Sequence, residues 1–414
     1  MKGEGRVKIL LTTIFAYPHE GGLSTHMTTL KKGLEERGHS VDVLSFSSFS
    51  RAYRTAYARL PGYLVNKWKK GRGQLWNDSQ RQRLLFRQLQ RIRHRYDVVN
   101  AQDIYAALAA VTAGVPTVAT VHGYYAYEAV SRGAIAEHSP EARQVEKLEQ
   151  EAYIRANQLV AVDRRIQQYI RRVADVEAVV IKNFIDVDSF CPSSLSDSSK
   201  VRRAFKLPEN APILFVPRRL TEKNGVIYPL LALPEVLRRH PDAMLVYAGT
   251  GEQQERIEEE MRKRGLHAHV RLLGSVPHEQ MKQLYGIATV VLVPSVHSHG
   301  VEEATSISAL EAMGSGAPVI AGAVGGLKEI FEHGVDGILV KDRDVDGLAA
   351  AIIRLLDDRA YGRKLAANAR KKVENHYSHR AAAERFEAVY ITARQRHLSS
   401  RFKQEKRGTM GSVE

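Results

Sequence analysis

Two glutamates, Glu303 and Glu311, stand eight positions apart in EEATSISALEAMGSGAPVIA, residues 302 to 321. Between them lies a run of small and hydroxyl residues in which Thr305 and Ser306 are good helix N-caps. A helix starting there points its amide end at an anion. Glu303 then falls on the loop before the helix and Glu311 inside it. A carboxylate beside an anion is repelled unless it binds hydroxyls instead. The pairing therefore reads as a site for a ligand with phosphate at one point and hydroxyl-bearing parts on either side. The phosphate half has a second candidate in FVPRRLTEKNG, where Arg218, Arg219 and Lys223 follow an apolar run. Cations on a strand-to-helix loop suit a diphosphate and stabilise the charge that grows on it as it departs. The plainer reading is exposed loop charge.

Four further motifs carry less. Gly21 and Gly22 in FAYPHEGGLSTH lie where a strand gives way to a helix. Missing Cβ atoms there let backbone amides approach a phosphate or sugar, or simply permit a tight turn. His122 closes the strand-like TVATVHG, where it is either structural or a partner for a sugar hydroxyl or a departing phosphate. Gly249 and Gly251 in YAGTGEQQ imitate a dinucleotide fingerprint, but Gln254 fills the third glycine's place, so the stretch reads as a turn. Asp342, Asp344 and Asp346 lack the acid that closes a calcium loop and read as a solvated turn. No metal site is expected.

The elements that must position these residues alternate. VKILLTT, SVDVLSF, DVVNAQD, PTVATVHG and QLVAVD are short β-branched runs separated by helical periodicity; PILFVP, AMLVYAGTG, VRLLG, TVVLVPS, PVIAG and GILV repeat the scheme. Fully apolar runs fit buried parallel strands. Two successive alternating units predict two doubly wound α/β domains, whose ligands sit beyond the carboxyl ends of the strands. The serine-rich stretch 190–203 reads as a linker, giving domains 1–190 and 191–377. A helix follows over 378–397, with a break near His379, and is expected to return to the first domain. The polar tail 398–414 is expected to be disordered.

With 414 residues, two domains are the natural division. A single cysteine, Cys191, excludes an internal disulfide framework and suits a reducing compartment. MKGEGRVKILLTT has too short an apolar run for a signal-peptide core, so a cytoplasmic protein is expected. Of the net charge of +15, the segment 51–95 supplies thirteen Lys or Arg against one acid, Asp78. It also holds Trp68 and Trp76 with Tyr53, Tyr57 and Tyr63. This composition suits an anionic membrane surface or phosphorylated acceptor, or is a solvated basic face. Nothing in it reads bases, and no nucleic acid is expected.

Taken together, Glu303 and Glu311 with LEAMGSGAPVIAGAVGG, the Arg-Lys loop, GGLSTHMTTL, TVHG, IKNFID, GTGEQQ and LGSVP resemble the family-4 retaining glycosyltransferases of group 1. The resemblance implies the GT-B fold, an α/β architecture of two doubly wound Rossmann-like domains facing across a cleft. It implies a nucleotide-sugar donor and a sugar, lipid-linked or polysaccharide acceptor, of a cell envelope or spore for example, with no cofactor and no metal. In the family's terms Glu303 contacts the donor sugar and Glu311 the ribose hydroxyls. Arg218 and Lys223 hold the diphosphate, with Arg219 an alternative to Arg218. His122 lies near the sugar, Gly21 and Gly22 form the first domain's glycine loop, and Thr305, Ser306 and Ile307 lend helix-start amides. The rival readings are a nucleotide-sugar-binding protein that transfers nothing and an epimerase on the same architecture.

Overall fold

The computed structural model describes residues 6–19, 21–59, 65, 72–131, 135–192, 195–298 and 305–410. The chain forms two compact units, one built from residues up to Lys182 together with those from Ala382 onward, the other from Asn183–Ala381.

The first unit carries the six-stranded parallel sheet β2-β1-β3-β4-β5-β6, made from β1 (Lys8–Thr12), β2 (Ser40–Leu44), β3 (Val98–Ala101), β4 (Thr117–Val121), β5 (Gln158–Ala161) and β6 (Val179–Val180). β1 is gripped on both sides, Leu11 pairing with Val43 of β2 and Asn100 of β3. The second unit repeats the plan as β12-β11-β10-β7-β8-β9, with β7 (Ile213–Val216), β8 (Met244–Tyr247), β9 (Val270–Leu272), β10 (Val290–Val293), β11 (Val319–Gly322) and β12 (Ile338–Val340), again all parallel. In β3, β4, β5, β7, β8, β10 and β11 every residue is buried. Helices cover both faces of such a sheet, which is why those runs are mostly apolar instead of alternating, with Asn100, Thr117, Thr120 and Gln158 as buried polar exceptions. The edge strands β2 and β6 keep exposed positions.

In each sheet the strand order reverses once, between β1 and β3 and between β7 and β10. At such a switch point the two following connections leave in opposite directions and open a crevice beyond the strand ends. In the first unit Asp103, just past β3, spans that point. Its Oδ2 accepts from Thr13 Oγ1 at 2.8 Å and Ile14 N at 2.9 Å, while Oδ1 caps the helix Ile104–Thr112 through Ala106 N.

The serine-rich stretch is not a free linker. It contains the helix Leu195–Ala204, which turns Val201 into the core beside Leu207 and Ile213. The second unit already begins at Asn183, because Ile185, Val187 and Phe190 pack into the same core. The last two helices are Arg359–His376 and His379–Met410, so the helix runs on past Leu398, where the sequence alone suggests disorder. No helix among the described residues is long and apolar enough to cross a membrane.

From Ala382 the final helix belongs to the first unit. It buries Ala382, Ala383, Phe386, Val389, Tyr390 and Ala393 at three- and four-residue spacing, the stripe of a helix with one packed face. Glu387 joins Arg37 and His39, and Asn100 donates to the Tyr390 hydroxyl at 2.9 Å. Phe386 is fully buried, so Phe386→Ala is expected to cost about 3–5 kcal/mol. In hydrogen exchange the loss of protection should fall on β1, β3 and the final helix and spare β7 and β10. Equal loss in both sheets would contradict this assignment of the helix.

Candidate active site

Arg218 organises the second unit's switch point. It follows β7, with Ser295 opposite on the loop after β10. The guanidinium is buried, so each N–H must find an acceptor. Nη1 donates to Ser295 Oγ at 2.9 Å and lies 3.5 Å from Ser306 Oγ; Nη2 donates to Asn224 Oδ1 at 2.6 Å. Asn224 returns through Nδ2 to the Arg219 carbonyl at 2.8 Å, closing the loop on itself. Arg219 is exposed, so of the two adjacent arginines Arg218 alone converges with the helix start. Lys223 sits half-buried in the turn Glu222–Asn224, tied down by Val296 N donating to its carbonyl at 3.0 Å. Its ammonium takes no ion pair among the described residues.

Close backbone packing fixes this loop. A Cβ on Gly249 would lie 2.1 Å from the Arg218 carbonyl oxygen, and one on Gly251 would lie 2.3 Å from that of Leu220. Gly249 also has a φ of +150°, which favours glycine. The GTG stretch is therefore a turn, as its sequence indicates, and a turn moulded to the arginine loop. Asp344 likewise is a helix cap, its Oδ1 accepting from Gly347 N at 2.8 Å.

The helix expected after the hydroxyl run is Ile307–Gly314. Ser306 occupies its N-cap position but makes no side-chain cap; its hydroxyl turns to Arg218 and to Ser308 Oγ, 3.2 Å away. Thr305 is buried before it, held where Asn183 Nδ2 donates to its carbonyl at 3.0 Å. Ile307, half-buried, opens the helix. Ser306 thus leaves the first amides of that helix uncapped by its side chain among the described residues, next to a buried cation. Glu311 is buried one turn on, with Tyr285 Oη donating to its Oε2 at 2.9 Å. Burial pushes its carboxyl up to about 7, against the opposing pull of the Tyr285 hydrogen bond and the Lys282 charge. Glu303 lies outside the described residues.

In the first unit Gly21 meets the helix Gly22–Glu36 with φ +149°, a conformation that favours glycine, and its carbonyl accepts from Thr25 N. Gly22 is the helix's first residue. The same helix turns His26 inward, its ring edge-on to His122 with centroids 4.6 Å apart. His122 follows β4, and its Nε2 is 2.9 Å from Gln102 Oε1. Burial pushes its pKa down to about 4, so the imidazole is neutral near pH 7. Just beyond it, the buried Glu149 accepts from Tyr125 N at 3.2 Å, Tyr153 Oη at 2.6 Å and Tyr169 Oη at 2.8 Å. That clamp fixes where the chain leaves β4.

Sequence reasoning missed Asn183, Asn224, Ser295, Tyr285, Gln102 and Glu149. Ser295 and Gln102 were findable, since each lies within two residues of the end of a strand flanking a switch point. Tyr285 and Glu149 lie inside helices with no local signal. Of the basic segment, residues 60–64 and 66–71, with Tyr63 and Trp68, lie outside the described residues. The helix Arg72–Ile92 is described, and it buries Leu75, Leu85 and Leu89. Asp78, the segment's acid, is buried as well, and burial pushes its pKa up to about 6.

Residues 20–189 match the model of glycosyltransferase family 4 and residues 197–372 that of the glycosyl transferases group 1. An uncharacterized glycosyltransferase of Methanocaldococcus jannaschii is 28% identical over 413 residues, covering 94% of this chain and 98% of that protein. The alpha-D-kanosaminyltransferase of Streptomyces kanamyceticus is 28% identical over 80% of this chain and 85% of its own. Among solved structures, Anabaena HepE in complex with UDP-glucose aligns with a TM-score of 0.66 over 94% of this chain and 100% of that one, at 20% identity. Sucrose-phosphate synthase from Thermosynechococcus elongatus aligns with a TM-score of 0.67 over 93% and 98%, at 21% identity. These structures share the fold. With both halves matched by family models, with relatives aligned along nearly its whole length and with two doubly wound parallel sheets, the chain belongs to the group 1, family 4 glycosyltransferases of GT-B fold.

Proposed function

We propose that the protein moves a sugar from a nucleotide-sugar donor to an acceptor hydroxyl with retention of anomeric configuration. The observation that carries this is the convergence of buried Arg218 on the uncapped start of the helix Ile307–Gly314, with buried Glu311 one turn further. In this reading the diphosphate takes the helix amides and the cations Arg218 and Lys223. The ribose hydroxyls take the Glu311 carboxylate, and Glu303 takes the donor sugar. By the family resemblance the first unit handles the acceptor, and its own glycine turn is Gly21–Gly22. As the bond from the anomeric carbon to the diphosphate oxygen breaks, negative charge gathers on that oxygen, and it takes the acceptor's proton as the new bond forms. Cations and amides fixed beforehand stabilise that charge, and the scheme assigns no metal.

Thermal stabilisation by a panel of UDP-, ADP- and GDP-sugars tests the donor class. A donor at a hundred times its Kd should add about 2.7 kcal/mol. With that donor, Lys223→Ala should lower kcat about a hundredfold, from a loss on the order of 3 kcal/mol, and leave the unfolding midpoint near its original value. Turnover within a few-fold of the unaltered protein would remove Lys223 from the mechanism.

Glu311 gives a second handle. Its raised pKa means that the folded protein without ligand holds a proton there below about pH 7, whereas the unfolded chain releases it nearer pH 4.5. This contribution therefore weakens the free protein as pH rises through that window. A ribose diol donating to the ionised carboxylate lowers its pKa again. Donor binding should then release close to one proton at pH 6 and almost none at pH 8, read by calorimetry in buffers of different ionisation heat. Glu311→Gln should abolish the release. Heats independent of buffer at pH 6 would separate Glu311 from the ribose.

The acceptor surface has a specific feature. At 100° per residue Arg72, Trp76, Arg83, Arg87 and Arg91 fall on one exposed face of the helix Arg72–Ile92, opposite its buried leucines. Arg72 pairs with Glu141; Arg83, Arg87 and Arg91 have no acidic partner among the described residues. A basic stripe carrying a 44% exposed tryptophan suits an anionic bilayer that presents a lipid-linked or envelope acceptor at the cytoplasmic face. In flotation the protein should rise with phosphatidylglycerol vesicles at low salt and stay behind at high salt, with pure phosphatidylcholine, or when Arg83, Arg87 and Arg91 are changed to Gln. No association at low salt would discard membrane docking.

A further inference from the structure

Behind His122 runs a chain of buried side chains of which only Thr120 belongs to a family motif. Asn100, on β3, has its Oδ1 2.8 Å from Thr120 Oγ1 and 2.9 Å from Gln102 Nε2, and both donate to it. Its Nδ2 donates to the Tyr390 hydroxyl at 2.9 Å. Asn100, Gln102, Thr120 and Tyr390 are all buried, so each of these groups is committed to its partner. With Nε2 engaged by Asn100, the end that Gln102 turns to His122 is its Oε1, an acceptor, 2.9 Å from the ring nitrogen. An acceptor there requires a proton on His122 Nε2. A neutral ring protonated on Nε2 has its lone pair on Nδ1.

We propose that Tyr390, Asn100 and Gln102 are positioning residues that hold His122 as the neutral Nε2–H tautomer, so that Nδ1 accepts a hydrogen bond from a substrate sugar hydroxyl. Burial supports the neutral form, and a ring this weakly basic orients a hydroxyl more readily than it removes its proton. His26, edge-on to His122 and itself edge-on to Phe386 with centroids 6.1 Å apart, limits rotation of the ring. Two of the restraining residues, Tyr390 and Phe386, come from the final helix. The inference rests on the transfer reading only for what Nδ1 meets; the tautomer itself is independent of it.

The test starts on the ligand-free protein labelled with ¹⁵N-histidine, with the His122 signals identified by their loss in His122→Asn. The unaltered protein should show a proton on Nε2 and a bare Nδ1. Gln102→Leu and Tyr390→Phe should each give a mixture of tautomers. With a donor sugar that the unaltered protein turns over, both variants should lose about tenfold in kcat/KM, the value of one hydrogen bond. Their affinity for the corresponding free nucleoside diphosphate should stay within about twofold, since that ligand has no sugar to orient. A proton on Nδ1 in the unaltered protein, or an unchanged tautomer in both variants, overturns the chain. A shifted tautomer with kcat/KM intact overturns its role in positioning. If the tautomers behave as stated while no donor is turned over, the transfer reading fails and the chain stands.

Discussion

A guanidinium withdrawn from water has to be surrounded by acceptors, and that requirement at Arg218 arranges the second unit's site. Two hydroxyls and an amide oxygen meet it, drawn from the loop after β10, the start of the helix Ile307–Gly314 and the turn that carries Lys223. Two come from the connection after β10 and one from the connection after β7, so the cation ties together the two sides of the strand-order reversal. None of these three acceptors is a carboxylate.

Glu311 is the complement. A carboxyl group that burial has raised to about 7 is a poor neighbour for water and a good one for a ligand hydroxyl. In the proposed reading, its distance along the helix from the N-terminal end would separate an anion-binding end from a hydroxyl-binding position.

The strands were legible because parallel strands buried on both faces are mostly apolar, and each run named from the sequence, from VKILLTT to GILV, became a strand. The two-residue edge strand β6 was not among the named runs. The linker reading failed because composition was weighed over packing: serines fill much of the helix Leu195–Ala204, yet Val201 at its far end is core. At the site, position relative to a strand end was the useful signal, and it reached Arg218, His122 and the Ile307 helix. It separated neither Arg218 from Arg219 nor structural from ligand-facing polar residues, since both distinctions depend on which way a side chain turns. Tyr285 and Tyr390 were invisible for another reason. Their polar partners lie 26 and 290 positions away, and no local pattern records such a pairing.

The final helix makes the second unit an insertion within the first. The leading 182 residues lay down all six strands of their sheet, yet Phe386, Tyr390 and Ala393, which finish that core, are synthesised only after the whole of Asn183–Ala381. The first unit therefore draws its core from two stretches separated in the chain, whereas the second unit is one continuous stretch.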